Sequence, residues 1–551
     1  MEEEVSNISQ SERVARSAGI MSVAVLVSRV TGVVRERVMA GLFGASMAYD
    51  AYVLGFRIPN LTRDLFAEGA LSSAFVPIFT EYLAGKGKKE AAELANLVAT
   101  AIILIVGSLC ILGMVFSPFL VRWMAPGFTG VPGKFDLAVR MARIMFPFLV
   151  LVSLAAQAMG ILNASHSFFL PALSSGFFNL GSIAFGLALG YWAGPLLGIS
   201  LIDAMAWGVV FGGALQWLVQ IPLLLRQGFF FRPRVNWSHP GMRRILSLMG
   251  PAILGNSAVQ VNVMVNTFFA SQIFDSARGF NGPTAWLSYA FRFMQLPLGV
   301  FGVAIGAATL PSITRSAVAG NMEEFRRTLS RSLGMVLLLT LPSSVGLIVL
   351  GQPMVGIIYQ TGRFQLYDTQ QTAMALACYA VGLAGYAALK VLTPAFYTLH
   401  DARTPTLVSL SSIAINAAVS YSMTTYTHLG HAGLALSTSV VALFNFVALF
   451  VILRGRIGGI YGRALFSTFL KVSAASAAMG VLVSVLSRQV SAAVGAGLRG
   501  RLLDLAVCIP LGVAVFYGAC RALRVDELDF AMRVGAGPLG RFFPAGRGRP
   551  A

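Results

Sequence analysis

Charged residues are scarce in this chain. Only 11% of its 551 residues are Asp, Glu, Lys or Arg, about half the share that soluble domains carry. Acids are the scarcer kind, with 22 Asp and Glu against 41 Lys and Arg, so the formal net charge is +19. This composition excludes a soluble globular domain. With 56% hydrophobic residues and a mean hydropathy of +0.75, it indicates an all-α polytopic membrane protein.

Enzyme motifs are also missing from the sequence. There is no Walker loop, no HExxH, no GxSxG and no Asp-rich metal cluster, so we expect a protein that is not an enzyme. The four cysteines are far apart in apolar segments and are interpreted as small hydrophobic residues: Cys110, Cys378, Cys508 and Cys520. Most basic residues fall in short loops, so membrane topology and anionic membrane lipids explain the positive charge, and no nucleic acid partner is expected. We expect a monomer.

Long apolar runs predict fourteen spanning helices, because each run is close to the twenty residues that a span requires. They lie at roughly 17–43, 47–83, 92–121, 137–162, 168–192, 200–225, 242–272, 284–312, 328–350, 370–398, 405–427, 431–454, 465–487 and 502–522. Lys and Arg concentrate in the loops after helices 2, 6, 8 and 12 and in the C-terminal tail. The positive-inside rule therefore predicts that both termini are cytoplasmic, although the arginines between helices 13 and 14 oppose this orientation.

An internal duplication divides the predicted helices. Three matched pairs are each separated by 234 positions (311 − 77, 400 − 166 and 405 − 171): Pro77 and Pro311, His166 and His400, and Pro171 and Pro405. We therefore predict two parallel six-helix lobes at 1–230 and 231–456, with a substrate site between them. An additional helix pair at 457–525 and a basic, disordered tail at 526–551 complete the chain. The matched turns also fit the simpler requirement that a short turn needs a helix stop.

The first two predicted helices contain a group of intramembrane charges. Each charge near a bilayer centre costs about 2.5–3.5 kcal/mol, and such residues usually face a bundle interior or a watery cavity. We expect Arg29, Arg35 and Arg63 to form a cationic chamber for an anionic substrate, because arginine suits bidentate phosphate recognition. Helix 1 would expose Arg29 and Arg35 to one cavity if it loosened at Thr31–Gly32. In helix 2, Asn60 brings a polar group to similar depth.

A structural alternative stays open for these charges. The acids of the same segment could neutralise the arginines in buried salt bridges: Glu36, Asp50, Asp64 and Glu68. In the second half, Arg292 is the basic residue well inside helix 8. Lys390 in helix 10 could contribute to the same cavity, or its side chain could extend to the membrane interface. Helix 7 contains four amide side chains, which could serve only to form hydrogen bonds between helices: Asn256, Gln260, Asn262 and Asn266.

Sequence motifs in both halves resemble those of the MurJ (MviN) family. The stretches are SRVTGVVRERVMAGLFGASMAYDAY, FRIPNLTRDLFAEGALSSAFVPIF, MGPAILGNSAVQ, GVAIGAATLPSI and KVLTPAFYTLHDARTP. The family belongs to the multidrug/oligosaccharidyl-lipid/polysaccharide exporter superfamily. The resemblance implies fourteen helices, with the last two bordering a groove for a lipid tail.

The resemblance also implies a function in cell wall biogenesis. Family members flip lipid II, the undecaprenyl-pyrophosphate-linked muropeptide, across the bacterial inner membrane for peptidoglycan synthesis and cell shape. The essential cavity arginines of the family fall on residues picked out by the charge argument: Arg29, Arg35, Arg63 and Arg292. Acidic positions of the family fall on Asp50 and Glu68. This chain has Glu36 where family members often have Asp, and it has Phe291 where they often have an acid before the helix 8 arginine.

Cofactors are not expected beyond a monovalent cation. Some relatives bind a cation in the C-terminal half, and Asp401 is the matching acid here. Alternative functions are a flippase for another polyprenyl-linked glycan, a drug exporter, a polyprenyl-phosphate glycosyltransferase and a scaffold protein. A drug exporter would require acids rather than arginines in its chamber, and a glycosyltransferase would require an interfacial catalytic acid or metal site.

Overall fold

The computed structural model describes residues 24, 26–65, 71–495 and 497–539. Apart from loops and one short hairpin, these residues are helical. They form two compact units, 1–285 with 361–364, and 286–360 with 365–551. Residues 231–285, which the predicted repeat assigns to the second lobe, cluster with the first unit in this division.

The first unit contains twelve described helices and a hairpin. The helices are α1 (26–43), α2 (Met47–Arg63), α3 (Ser72–Gly85), α4 (Lys88–Val115), α5 (Ser117–Met124), α6 (Lys134–Met145), α7 (Phe148–Ala164), α8 (Phe169–Ala188), α9 (Gly194–Leu197), α10 (Leu201–Leu218), α11 (Ile221–Arg226) and α12 (Pro240–Gln272). A 3-10 turn (Pro126–Gly130) precedes α6, and a π-helical segment (Leu189–Ala193) follows α8. The strands β1 (Phe274–Asp275) and β2 (Phe280–Asn281) are antiparallel.

Local sequence sets several of these helix ends and contacts. Ser46 caps α2 by accepting a hydrogen bond from the Tyr49 amide at 3.4 Å. Gly55 allows α2 to lie directly against α6, since a Cβ there would be 2.5 Å from the Cβ of Met141. Apolar side chains of α3, α4 and α7 form one core, in which Phe79 and Leu94 are fully buried.

The second unit is also helical. Its helices are α13 (Thr284–Pro297), α14 (Ala304–Val318), α15 (Met322–Tyr359), α16 (Leu366–Val381), α17 (Leu383–Thr398), α18 (Arg403–Tyr426), α19 (His431–Arg456), α20 (Gly462–Val494), α21 (Leu498–Ala522) and α22 (Asp526–Leu539). A π-helical segment (Leu298–Val303) joins α13 to α14 directly after a proline. Gly306 in α14 packs against the Lys390 backbone of α17, where a Cβ would be 2.4 Å from the carbonyl oxygen.

Ten helical stretches of the described residues are long and apolar enough to cross a membrane, and a bent pair, α16 with α17, makes an eleventh. These eleven coincide with predicted helices 3–6 and 8–14. Of the other three, predicted helices 1 and 2 include residues that the structure does not describe, 17–23 and 25 in helix 1 and 66–70 in helix 2. Predicted helix 7 corresponds to α12, which is too polar to qualify. The chain is a polytopic helical membrane protein, and the total of fourteen spans stays a prediction.

The duplicated turns share an unusual backbone conformation. His166 has φ 59° and His400 has φ 57°, and both end a helix in the left-handed region that non-glycine residues rarely adopt. In each turn the next amide reaches back to a helix carbonyl, from Ser167 to Leu162 at 2.8 Å and from Asp401 to Phe396 at 3.0 Å. Equal geometry at positions 234 apart (400 − 166) supports a duplicated chain.

The predicted disorder of the C-terminal tail is wrong for its first part. Residues 526–539 form α22, whose Leu528 is buried against α15 and α20. Glu527 accepts a hydrogen bond from Thr468 at 2.8 Å. The Gly, Pro and Arg content suggested disorder, but the apolar residues at the start of α22 have a surface to pack against. Residues 540–551 lie outside the described residues.

Candidate functional site

Arg35 is buried within the first unit, on the side of α1 that faces α2 and α8. Its side chain is only 10% exposed, and Nη2 lies 3.0 Å from Oε1 of Glu36. The Tyr49 hydroxyl donates to the other oxygen of that carboxylate at 3.2 Å. The rings of Phe178 and Phe56 lie 5.3 and 6.0 Å from the guanidinium carbon, within cation–π range. Arg35 is therefore a cation held in place by a carboxylate and two aromatic rings.

Arg63 lies at the end of α2 and is also next to an acid. Its Nε and Nη2 donate to Oδ1 of Asp64 at 3.2 and 2.9 Å. The second oxygen of Asp64 accepts a hydrogen bond from Gln260 of α12 at 3.4 Å. One turn earlier, Asn60 has a buried Oδ1 without a hydrogen-bond partner among the described residues. These residues form a polar cluster between α2 and α12, and the helix continues through Pro59.

Arg29 is exposed and forms no ion pair or hydrogen bond with the described residues. The loosening at Thr31–Gly32 that would bring both arginines to one cavity is absent from the described residues, because α1 is a continuous helix from 26 to 43. Six residues at about 100° each place Arg29 and Arg35 about 120° apart around this helix. The two side chains therefore leave α1 on different faces, one exposed and one buried.

The expectation that the arginines of the first unit are uncancelled is thus wrong for two of them. Arg35 and Arg63 are each paired with the acid that follows in sequence. The local sequence supplies the partner, as the salt-bridge alternative predicted for Glu36 and Asp64. A guanidinium has five N–H donors, so one carboxylate does not exhaust its capacity to bind phosphate oxygens. The acid partner instead fixes the direction of each guanidinium.

Asp50 lies at the start of α2 and is fully buried. Its Oδ2 is 3.0 Å from Lys134 Nζ and 3.2 Å from Arg278 Nη1. Its Oδ1 accepts hydrogen bonds from the Thr284 hydroxyl at 3.0 Å and the Ala285 amide at 2.8 Å. Sequence reasoning assigned Asp50 to the substrate. In this conformation its carboxylate instead joins α2, α6, the hairpin and the first two residues of α13, which belong to the first unit.

Sequence reasoning missed Lys134. Its side chain is fully buried, and its Nζ lies 4.3 Å from the Phe128 ring centroid and 4.6 Å from that of Phe280. It also donates to the carbonyl of Asn281 at 2.6 Å. Nothing in the sequence distinguishes Lys134 from a loop cation, because Asp50 is 84 residues away and Asn281 is 147 residues away.

In the second unit, Arg292 lies on α13 and Lys390 on α17. Both residues are exposed. Lys390 forms no hydrogen bond or ion pair with the described residues, which fits a side chain that extends to water or a lipid headgroup. Phe291, where the family usually has an acid, packs its ring edge-on against Tyr379 at 5.4 Å.

Two predicted site acids have different outcomes. Glu68 lies outside the described residues. Asp401 accepts a hydrogen bond from the Thr404 amide at 3.0 Å and forms an ion pair with Arg456, so it caps α18. Hydrogen bonds from Thr404, with a smaller contribution from the Arg456 charge, hold the pKa of Asp401 below its usual value. The described residues contain no group of three His, Cys, Asp or Glu that could hold a metal, and the cation site stays a prediction.

Comparisons with known proteins agree over most of the chain. The family described as "Lipid II flippase MurJ" matches residues 39–499. "Lipid II flippase MurJ" of Burkholderia cenocepacia is 34% identical over 501 residues, which cover 90% of this chain and 94% of that protein. "Probable lipid II flippase MurJ" of Vibrio cholerae is 32% identical over 537 residues, covering 95% and 98%.

Solved structures show the same fold. "Lipid II flippase MurJ, inward closed conformation" matches with a TM-score of 0.73 at 24% identity, covering 91% of this chain and 99% of that one. A multidrug resistance MATE family transporter of the MOP superfamily, inward-facing, matches with a TM-score of 0.58 at 17% identity, covering 80% and 94%. These likenesses extend the fold to transporters with other substrates.

Proposed function

This chain belongs to the MurJ family, and from that premise we propose that it is a lipid II flippase of the bacterial cytoplasmic membrane. It would move the undecaprenyl-pyrophosphate-linked muropeptide from the inner to the outer leaflet for peptidoglycan synthesis. The observation that carries the proposal is the similarity to family members, which extends over nearly their whole length. The absence of Walker, HExxH and GxSxG sequence motifs agrees with transport rather than enzymatic chemistry.

The arginines within the apolar helices would bind the pyrophosphate. Arg35 supports this role because a guanidinium beside aromatic rings and largely shielded from water interacts more strongly with an anion than a solvated one. Arg63 and Arg29 add positive charge in the same unit, and Arg292 adds it in the other. Each acid partner would hold its arginine in place until phosphate oxygens replace or share the carboxylate.

The polar headgroup would cross by alternating access while the prenyl tail stays in the bilayer. The many exposed apolar side chains on α20 and α21 support a binding site for the prenyl tail beside this helix pair. Among them are Phe466, Val481, Leu502 and Val513. A cavity that holds several positive charges would also respond to the membrane potential, which could supply the driving force.

The proposal is tested in cells whose own flippase can be depleted. We expect this chain to restore growth and to prevent lipid II from accumulating in the inner leaflet. Single Ala variants of Arg29, Arg63 and Arg292 should insert at normal levels but fail to restore growth. Arg35→Lys should be impaired but not inactive, because it keeps the charge but loses the planar fork.

Arg140→Ala is the matched control for these variants. Arg140 pairs with Asp203 at 2.9 Å but is 57% exposed, so removing it should leave transport intact. Growth supported by a chain lacking all four arginines would refute the pyrophosphate role. Accumulation of a different polyprenyl-linked precursor on depletion of this protein in its own host would show that lipid II is not the substrate.

A further inference from the structure

A groove of about 230 Å³ opens on the side of the first unit. Its walls come from α4, α7, α10, α11 and the segment 229–231. The lining is largely apolar and includes Ala99, Ile103, Leu154, Trp217, Leu224 and Phe231. Ile103 and Phe231 are 40% and 54% exposed, so the apolar lining is accessible from outside the protein. None of the lining residues belongs to the polar cluster or is an arginine of the candidate site.

Each of the two polar side chains in the groove forms a hydrogen bond within the protein. Asn96 accepts a hydrogen bond from the Arg232 amide at 3.0 Å. Gln157 donates to the carbonyl of Ala95 at 2.7 Å and is 4% exposed. Because each of these groups is bonded within the protein and the other lining residues are apolar, the wall offers mainly apolar contact to an occupant.

Three cations lie near the end of the groove at which α4 begins. Lys88 lies one turn before the lining residue Ala92, with its Nζ 5.9 Å from the Phe229 ring centroid. Arg226 ends α11, and Arg232 follows the last lining residue of the 229–231 segment. Lys88, Arg226 and Arg232 are exposed, and none of them forms an ion pair with a described residue. The positive-inside rule predicts this end to be cytoplasmic.

The shape and charge together specify an amphiphile. Along α4 the lining runs from Ala92 to Ile103, about 16 Å at 1.5 Å per residue. Lys88 lies one turn before this run, and the Arg232 amide is bonded to Asn96, one turn into it. We propose that this groove binds an acyl chain of an anionic phospholipid of the inner leaflet, with the phosphate headgroup over Lys88, Arg226 and Arg232. A phospholipid fits better than a protein segment because the groove opens along apolar spanning helices.

Trp217 in the groove wall provides a direct test. The purified full-length protein is placed in vesicles of unlabelled phosphatidylcholine. One set contains a small fraction of phosphatidylglycerol with brominated acyl chains, and the other contains the same fraction of phosphatidylcholine with brominated acyl chains. Bromine quenches a tryptophan that it contacts, and the signal of Trp217 among the six tryptophans is isolated by comparison with Trp217→Phe. We expect the brominated phosphatidylglycerol to quench Trp217 at a clearly lower fraction than the brominated phosphatidylcholine.

Charge variants separate specific binding from general lipid contact. Lys88→Gln with Arg232→Gln should reduce the preference for phosphatidylglycerol by about tenfold or more, since each Lys or Arg near an anionic membrane surface contributes roughly fivefold. Arg315→Gln with Arg327→Gln removes the same charge from the second unit and should leave the preference unchanged. Equal quenching by the two lipids, or a preference that survives the groove variant, would overturn the proposal. Quenching of Trp217 by neither lipid would also overturn it and would leave a protein segment as the occupant.

Discussion

Replacing Lys134 by Met tests whether the buried charge cluster stabilises the first unit. The Lys134 side chain is fully buried, with Nζ 3.0 Å from Asp50 Oδ2 and 2.6 Å from the Asn281 carbonyl. Met fills a similar volume between the aromatic rings, so the substitution removes mainly the charge and its hydrogen bonds. Asp50 would retain Arg278 at 3.2 Å as a counter-ion.

The expected loss of stability follows from these contacts. Breaking a buried ion pair by removing one partner costs about 3–5 kcal/mol, because the other charge is left uncompensated. Since Arg278 still pairs with Asp50, we expect the lower end for Lys134→Met, about 3 kcal/mol. Asp50→Asn should cost more, because it leaves two buried cations with less compensation. Arg140→Gln, at a largely exposed pair, should cost no more than about 1 kcal/mol.

Thermal unfolding of the purified protein in detergent measures this order. Lys134→Met should unfold at a clearly lower temperature than the unsubstituted protein, Asp50→Asn lower still, and Arg140→Gln close to the starting value. If Lys134→Met were as stable as Arg140→Gln, the buried cluster would not hold α2, α6 and the hairpin together. The same result would make Asp50 available again as a residue that contacts substrate.

Three further predictions use other parts of the structure. Gly55→Ala would place a Cβ 2.5 Å from that of Met141, so it should destabilise the protein by about 1–3 kcal/mol in thermal unfolding, whereas Gly85→Ala, which meets nothing within 4 Å, should not. The pKa of Asp401 is lowered in the folded protein. Its carboxylate therefore stabilises the fold above the unfolded-state pKa of about 3.9, and this stabilisation is lost as the pH falls from there through the lower folded-state pKa. Asp401→Asn should therefore lower stability at pH 7 and make no difference at low pH. Arg35→Lys should retain more transport than Arg35→Ala, measured by lipid II accumulation, because it keeps the charge near the aromatic rings.

Hydropathy in the sequence determined the membrane class and most of the helices. Eleven of the predicted spans match apolar helical stretches, since about twenty consecutive apolar residues have few alternatives to a membrane helix. The duplication was also visible, because the same turn chemistry recurs with one offset at His166 and His400. Three predicted spans have no matching apolar stretch. Helix 7 is rich in amide side chains, and helices 1 and 2 include residues that the structure does not describe.

Tertiary structure decided which charges are paired. Sequence alone identified Arg35 and Arg63 as unusual, yet a one-dimensional sequence does not state whether a neighbouring acid turns toward an arginine or away from it. Asp50 shows the limit most clearly, because its partners Lys134 and Arg278 are 84 and 228 residues away. Burial of a charge depends on groups that the fold brings together, and those long-range contacts leave no local signal in the sequence.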